Sequence, residues 1–169
     1  MHGRSSRFGA DVSRSAMASE AGRALLGGAA TLVAALAVLT WQTIRIPGHA
    51  PHRVVAELRL AQAAAVLAAF SAAFAAGLGA SAPGPVAALD MACAVLACGV
   101  ALMTLVRDPR AALAWLGAVF LARAVLDLAH LLEWLPAVAA SEVMVGSVVA
   151  NLCAAACCVL PLGRTPTPR

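Results

Sequence analysis

Arg123, Asp127, His130 and Trp134 stand in the stretch ARAVLDLAHLLEW at successive intervals of 4, 3 and 4 residues. At about 100° per helical residue, that spacing places all four on one narrow stripe of a helix. A carboxylate and an imidazole one turn apart can take up and return a proton, and a guanidinium beside them can orient a substrate or stabilise a developing anion. The surrounding residues are apolar, so the stripe interrupts what otherwise reads as a membrane-spanning helix. A lone arginine at the centre of such a helix costs about 2.5–3.5 kcal/mol on insertion scales. An aspartate one turn away offsets part of that cost, because the pair can be inserted as a neutral, hydrogen-bonded unit.

The stripe must therefore face the interior of a bundle. Other polar residues fall at compatible depths: Asp90 near the start of the preceding apolar run, and Glu142 and Asn151 in the following one, with Asn151 on the same face as Ser147. Asp127, His130 and Asp90 are the candidate catalytic residues. Arg123, Glu142, Asn151 and Trp134 are the candidates for binding substrate. A structural reading competes: Arg123 and Asp127 as a pair that fixes helix register, with His130 as an interfacial hydrogen-bonder. The histidine and the additional acids favour a polar cavity, since intramembrane ionisable residues mark functional sites by default.

The elements that position these residues follow from composition. Of 169 residues, 62% are hydrophobic and only 12% charged, against roughly 25% charged in ordinary soluble domains. In water, such a chain would lack the polar residues to cover its apolar faces, whereas a bilayer supplies an apolar solvent. The expected fold is all-α, a polytopic membrane bundle of about five transmembrane helices, at approximately Ala24 to Ile46, Val54 to Leu78, Val86 to Val106, Ala111 to Leu135 and Ala137 to Leu162. Each is long enough for a hydrocarbon layer that takes about 20 helical residues. Between them lie IPGHAPHR, GASAPGP, the charged turn RDPR, and Pro136, which forbids an unbroken helix from the fourth run into the fifth.

Residues 24–162 then form the membrane domain, between a polar, disordered tail at 1–23 and a short proline-rich tail at 163–169. The first apolar run is longer than the roughly 7–15 residues of a signal-peptide core, so it is expected to be a retained helix, with Met17 a plausible alternative start. Trp115 and Trp134 lie 19 positions apart, about 28 Å along a helix, and mark the two membrane surfaces.

With five spans, Arg45, Arg53, Arg107, Arg110, Arg164 and Arg169 fall on one side, and the loops of the other side hold no arginine. The N-terminal Arg4, Arg7, Arg14 and Arg23 argue the opposite way, but three of them vanish if translation begins at Met17. The positive-inside rule then puts the C-terminus in the cytoplasm. All 12 basic residues are arginine and alanine is abundant, a composition that suggests a bacterial source and hence a bacterial plasma membrane. Small residues recur at four-residue spacing, as in Gly146, Ala150 and Ala154 or Gly27, Thr31 and Ala35, which suits close helix packing within the chain, in a homo-oligomer or against a membrane partner.

Several chemistries are disfavoured. Cys93, Cys98, Cys153, Cys157 and Cys158 all lie in apolar runs with no CxxC pair, and read as reduced packing residues; His49 and His52 alone are too weak for a metal site, so no metal is expected. No Walker loop, GxGxxG, HExxH, GxSxG or paired-histidine haem pattern occurs, and no cofactor is expected. The net charge of +4 comes from scattered arginines without interleaved aromatics, which argues against nucleic acid as a partner. Arg53, Glu57, Arg59 and Gln62 form a second polar group that reads as structural or lipid-anchoring. Two function classes fit, with membrane lipid and a lipophilic small molecule as partners. One is a small membrane enzyme doing acid-base chemistry, of the isomerase or cyclase type, on a lipophilic substrate. The other is a proton-coupled carrier or channel subunit, and a non-catalytic accessory subunit stands beside both. Internal repeats and broken midplane helices, which transporters commonly show, are absent from the sequence pattern.

Overall fold

The computed structural model describes Ala24 and residues 27–81, 85–136 and 141–163. The tails, including Arg4, Arg7, Arg14, Met17, Arg23 and the residues from Arg164 onward, lie outside the described residues. Five helices and no strand occur among those described: α1 Gly27–Arg45, α2 His52–Ser81, α3 Pro85–Thr104, α4 Pro109–Leu131 and α5 Ser141–Val159. Four of them, α1, α2, α4 and α5, are long and apolar enough to cross a membrane among the described residues, and α3 contributes a further apolar helix.

The breaks have local causes. Pro47 and Gly48 end α1, and Arg53 N donates to Ala50 O as α2 begins. In RDPR, Asp108 caps α4 by accepting from the backbone N–H groups of Arg110 (3.1 Å) and Ala111 (3.2 Å), with Pro109 in the first turn where no N–H is needed. The fourth helix stops at Leu131, short of the expected Leu135, because the chain turns before Pro136 is reached. Glu133 takes a left-handed φ of 60°. Its N–H reaches His130 O (3.2 Å) and the Trp134 N–H reaches Ala129 O (3.0 Å), the paired bonds of a Schellman turn. A residue with a Cβ pays about 1–2 kcal/mol there, which glycine does not. Replacing Glu133 by glycine is expected to raise stability by up to about 1 kcal/mol; a lower unfolding midpoint in detergent would show that the glutamate side chain contributes more than its backbone strain costs.

Packing reverses the pattern of a water-soluble protein. Val66, Leu96, Leu102, Met103, Val106, Val125 and Val149 face outward, while Arg53, Glu57, Asp90, Asp127, His130 and Asn151 are buried. Large apolar side chains outside and polar ones inside suit an apolar solvent, and the chain is a multi-pass membrane protein. The main core sets Leu113, Leu116 and Phe120 of α4 among small residues, Ala61, Ala64, Ala65 and Ala68 of α2 and Ala154, Ala155 and Cys158 of α5. A close glycine-mediated approach occurs at Gly117, where an added Cβ would lie 3.2 Å from Val159 Cγ2 and 3.5 Å from Cys158 Cβ. Gly27, by contrast, faces open space. Thr40 ties α1 to α5, its hydroxyl lying 2.9 Å from Leu36 O and 3.1 Å from Cys157 O.

At one end of the bundle, buried Arg53 gathers three elements, and Arg110 of α4 joins them. Arg53 Nε donates to Glu57 Oε1 (2.9 Å), Nη1 to Ile46 O (3.0 Å) and Nη2 to Pro161 O (3.3 Å). Arg110 Nη2 donates to Leu162 O (3.3 Å), and its Nε lies 4.0 Å from Glu57 Oε1. The end of α1, the starts of α2 and α4 and the segment after α5 therefore meet at one face, as alternating spans require. At that face Arg45 stacks on Trp41, 4.5 Å from the ring centroid. Arg59 and Gln62, expected in the same polar group, point outward. α2 packs most closely on α3 and α4 on α5, whereas α3 and α4 meet more sparsely. That looser seam lies beside the polar cluster.

Candidate functional site

Helix α4 presents Arg123, Asp127 and His130 toward α3 and α5, as their 4, 3 spacing requires. Arg123 Nη2 and Asp127 Oδ1 are 2.7 Å apart. The other Asp127 oxygen accepts from Ser147 Oγ (2.6 Å) and from Asn151 Nδ2 (3.3 Å), both of α5. Asn151 Nδ2 also donates to Ser147 Oγ (3.2 Å), closing a ring of three polar side chains on one carboxylate. Asp127 thus has a charged partner on one oxygen and neutral donors on the other, the condition under which a buried carboxylate is tolerated.

Helix α3 supplies the second carboxylate. Asp90 lies with both oxygens 3.3 Å from His130 Nε2, and its Oδ1 is 3.9 Å from Arg123 Nη1. The opposite ring nitrogen, Nδ1, is 2.8 Å from the carbonyl oxygen of Pro136. A carbonyl only accepts, so Nδ1 carries a hydrogen and donates it. Nε2 then faces both oxygens of the Asp90 carboxylate.

The left-handed turn at Glu133 has a direct role in this arrangement. By folding the chain back after Leu131, it brings the Pro136 carbonyl over the last turn of α4, where His130 can reach it. Backbone strain one turn away thereby selects the orientation of the imidazole.

Arg123 and Asn151 also line a cavity of about 430 Å³ between α2, α3 and α4. Its walls are otherwise almost wholly apolar, including Ala68, Ala72, Ala94, Ala97 and Phe120, with Ser71 of α2 the remaining hydroxyl. Leu96, Ala122 and Val125 at its edge are exposed, so the cavity opens sideways along the sparse seam between α3 and α4, toward the lipid. A smaller space of about 80 Å³ lies on the far side of Phe120, Ser71 and Asn151 and is lined also by Ser147, Phe70 and Phe74. Two buried atoms of the cluster lack a hydrogen bond: Arg123 Nη1 and Asp90 Oδ2. The guanidinium thus has donor capacity that the protein leaves unused.

Of the residues singled out from sequence, Asp90, Arg123, Asp127, His130 and Asn151 come together. Glu142 is exposed in the first turn of α5, and Trp134 is 77% exposed beyond the end of α4. Among the described residues, neither has a hydrogen bond or ion pair to the cluster. Trp115 is exposed as well. Sequence reasoning gave Ser147 only a supporting place, although it makes the shortest of the hydrogen bonds to Asp127. The Pro136 carbonyl and Ser71 were not anticipated. No group of three or more His, Cys, Asp or Glu side chains fit to hold a metal ion occurs among the described residues. The chain matches no family model, no curated protein and no solved structure with which it was compared.

Proposed function

We propose that this protein is an enzyme of the bacterial plasma membrane that draws a lipophilic substrate from the bilayer and rearranges it by acid-base chemistry, of the isomerase or cyclase type. The observation that carries the reading is the meeting of an apolar, lipid-facing cavity with a buried ionisable cluster at Arg123 and Asn151. These two side chains touch the substrate's polar atom. Asp127 holds both of them and lies one side chain deeper, as do Asp90 and His130. Asp90 and His130 are the proton-transfer pair, beside Arg123. An isomerisation removes a proton from one carbon and returns one to another, so it needs no cofactor and leaves the substrate's mass unchanged. Arg123 would stabilise the negative charge that develops between the two transfers.

Such transfers exchange substrate hydrogens with solvent. Liposomes formed from a bacterial total lipid extract, with purified protein inserted and incubated in D2O, are expected to show deuterium uptake into a membrane lipid by mass spectrometry. Uptake should fall by about a hundredfold or more with Asp90→Asn, which keeps the shape of the side chain and removes its titratable proton. If no lipid gained deuterium or rearranged beyond the level in protein-free liposomes, the enzymatic reading would fail.

A further inference from the structure

We infer that Phe120 limits how far a hydrocarbon chain penetrates the bundle: the chain seats in the α2–α3–α4 cavity and stops at the Phe120 ring, which shuts it out of the smaller space between α1, α2 and α5. The inference rests on the reading that this cavity takes a lipophilic substrate, and adds the residue that bounds it.

The two spaces share a wall. Phe120, Ser71 and Asn151 line both of them, with about 430 Å³ on one side and about 80 Å³ on the other. Asn151 is held in place, since its Nδ2 donates to both Asp127 and Ser147, and the serine side chain is short. Phe120 supplies most of the bulk, is only 2% exposed and is fixed by packing alone. The core around it is made largely of alanines from α2 and α5, too short to close over the space that a smaller residue would leave. One ring is therefore the partition.

The occupant follows from the walls and the opening. Apart from Arg123, Asn151 and Ser71, the larger cavity is lined by apolar side chains and the Cys93 thiol, and it opens past Leu96, Ala122 and Val125 toward the lipid. Apolar cavities stay dry and take apolar guests. Along α4 the lining runs from Val119 to Ala129, about 15 Å of helix. That length suits an extended chain.

Depth is an independent reason for the chain to end at this ring. Phe120 is the central residue of α4, midway between Pro109 and Leu131. The centre of a spanning helix lies at the bilayer midplane, where the chains of either leaflet terminate. From that level the cavity runs toward the Leu131 end of α4, parallel to the chains of one leaflet. Arg123 is three residues from Phe120, so on the reading above the atoms that react lie near the tip of the chain.

The test uses hexadecane and a phosphatidylcholine, each with a photoactivatable diazirine at a chain tip, in nanodiscs that contain the full chain. Labelled residues are mapped by tandem mass spectrometry, with and without excess unlabelled hexadecane. Ala72 and Ala94 line the larger cavity alone and Ala154 the smaller one alone, and all three are buried, so bulk lipid does not reach them. In the wild type, competable label is expected on Ala72 and Ala94, with at least about tenfold less on Ala154, because a chain that displaces the ring overpacks a filled core. Phe120→Ala should raise the label on Ala154 at least about tenfold, and Phe120→Leu by less. The wild-type pattern tests the inference even if a variant does not fold. Either probe supports it: label from both assigns the chain to an intact phospholipid, and label from hexadecane alone assigns it to a lipophile without a headgroup. Wild-type label on Ala154 equal to that on Ala72, or none gained there by folded Phe120→Ala, would overturn the inference and leave the lipophilic reading standing. No competable label on Ala72 or Ala94 from either probe would overturn both.

Discussion

Truncating Asp127 to alanine is expected to lower the unfolding free energy by about 3–5 kcal/mol, because it strips the charged partner from Arg123 in a site that water does not reach. The loss is not confined to one pair. Ser147 and Asn151 both direct donors at the same carboxylate, so two neutral groups lose an acceptor along with the guanidinium. Arg123→Ala is expected to be costly for the mirror-image reason: Asp127 keeps its two neutral donors but no cation. When both are removed, neither charge is left unpaired, and the double variant should be more stable than the sum of the single losses predicts, by about 1–3 kcal/mol. Reversible unfolding in mixed micelles, followed by helical content, provides the double-mutant cycle. Strict additivity would mean that the 2.7 Å approach of the two side chains carries no energetic coupling.

At the opposite end of the bundle, Arg53→Ala is expected to cost a similar amount, about 3–5 kcal/mol. Its guanidinium serves three acceptors at once, Glu57, Ile46 O and Pro161 O, and no other side chain type presents donors in that fork. Removal leaves the Glu57 carboxylate buried, with only Arg110 at 4.0 Å. Arg53→Lys should recover a minor part, since a single ammonium cannot reach all three acceptors. Arg110 is the internal control: its side chain is 37% exposed, and its loss should cost less than about 1 kcal/mol. The same unfolding assay decides the matter. Equal losses for Arg53→Ala and Arg110→Ala would remove Arg53 from its place as the common tie of α1, α2 and the segment after α5.

How far these features could be read beforehand depends on whether they live within one helix or between several. The pairing of Arg123 with Asp127, and of Arg53 with Glu57, is an i, i+4 relation, and helical geometry alone delivers it. The shared face of Ser147 and Asn151 is legible for the same reason. The pairing of Asp90 with His130 spans two helices whose relative depth and rotation no spacing specifies. Shared membrane side brought Glu142 and Trp134 into the expected pocket, but side is a coarse coordinate, and both are exposed. The Pro136 carbonyl depends on a left-handed residue, and glutamate is an unusual occupant of that conformation, so composition gave no hint. The cavity was the least legible feature, since its walls are alanine and leucine like the rest of the chain. It exists because α3 and α4 stand slightly apart.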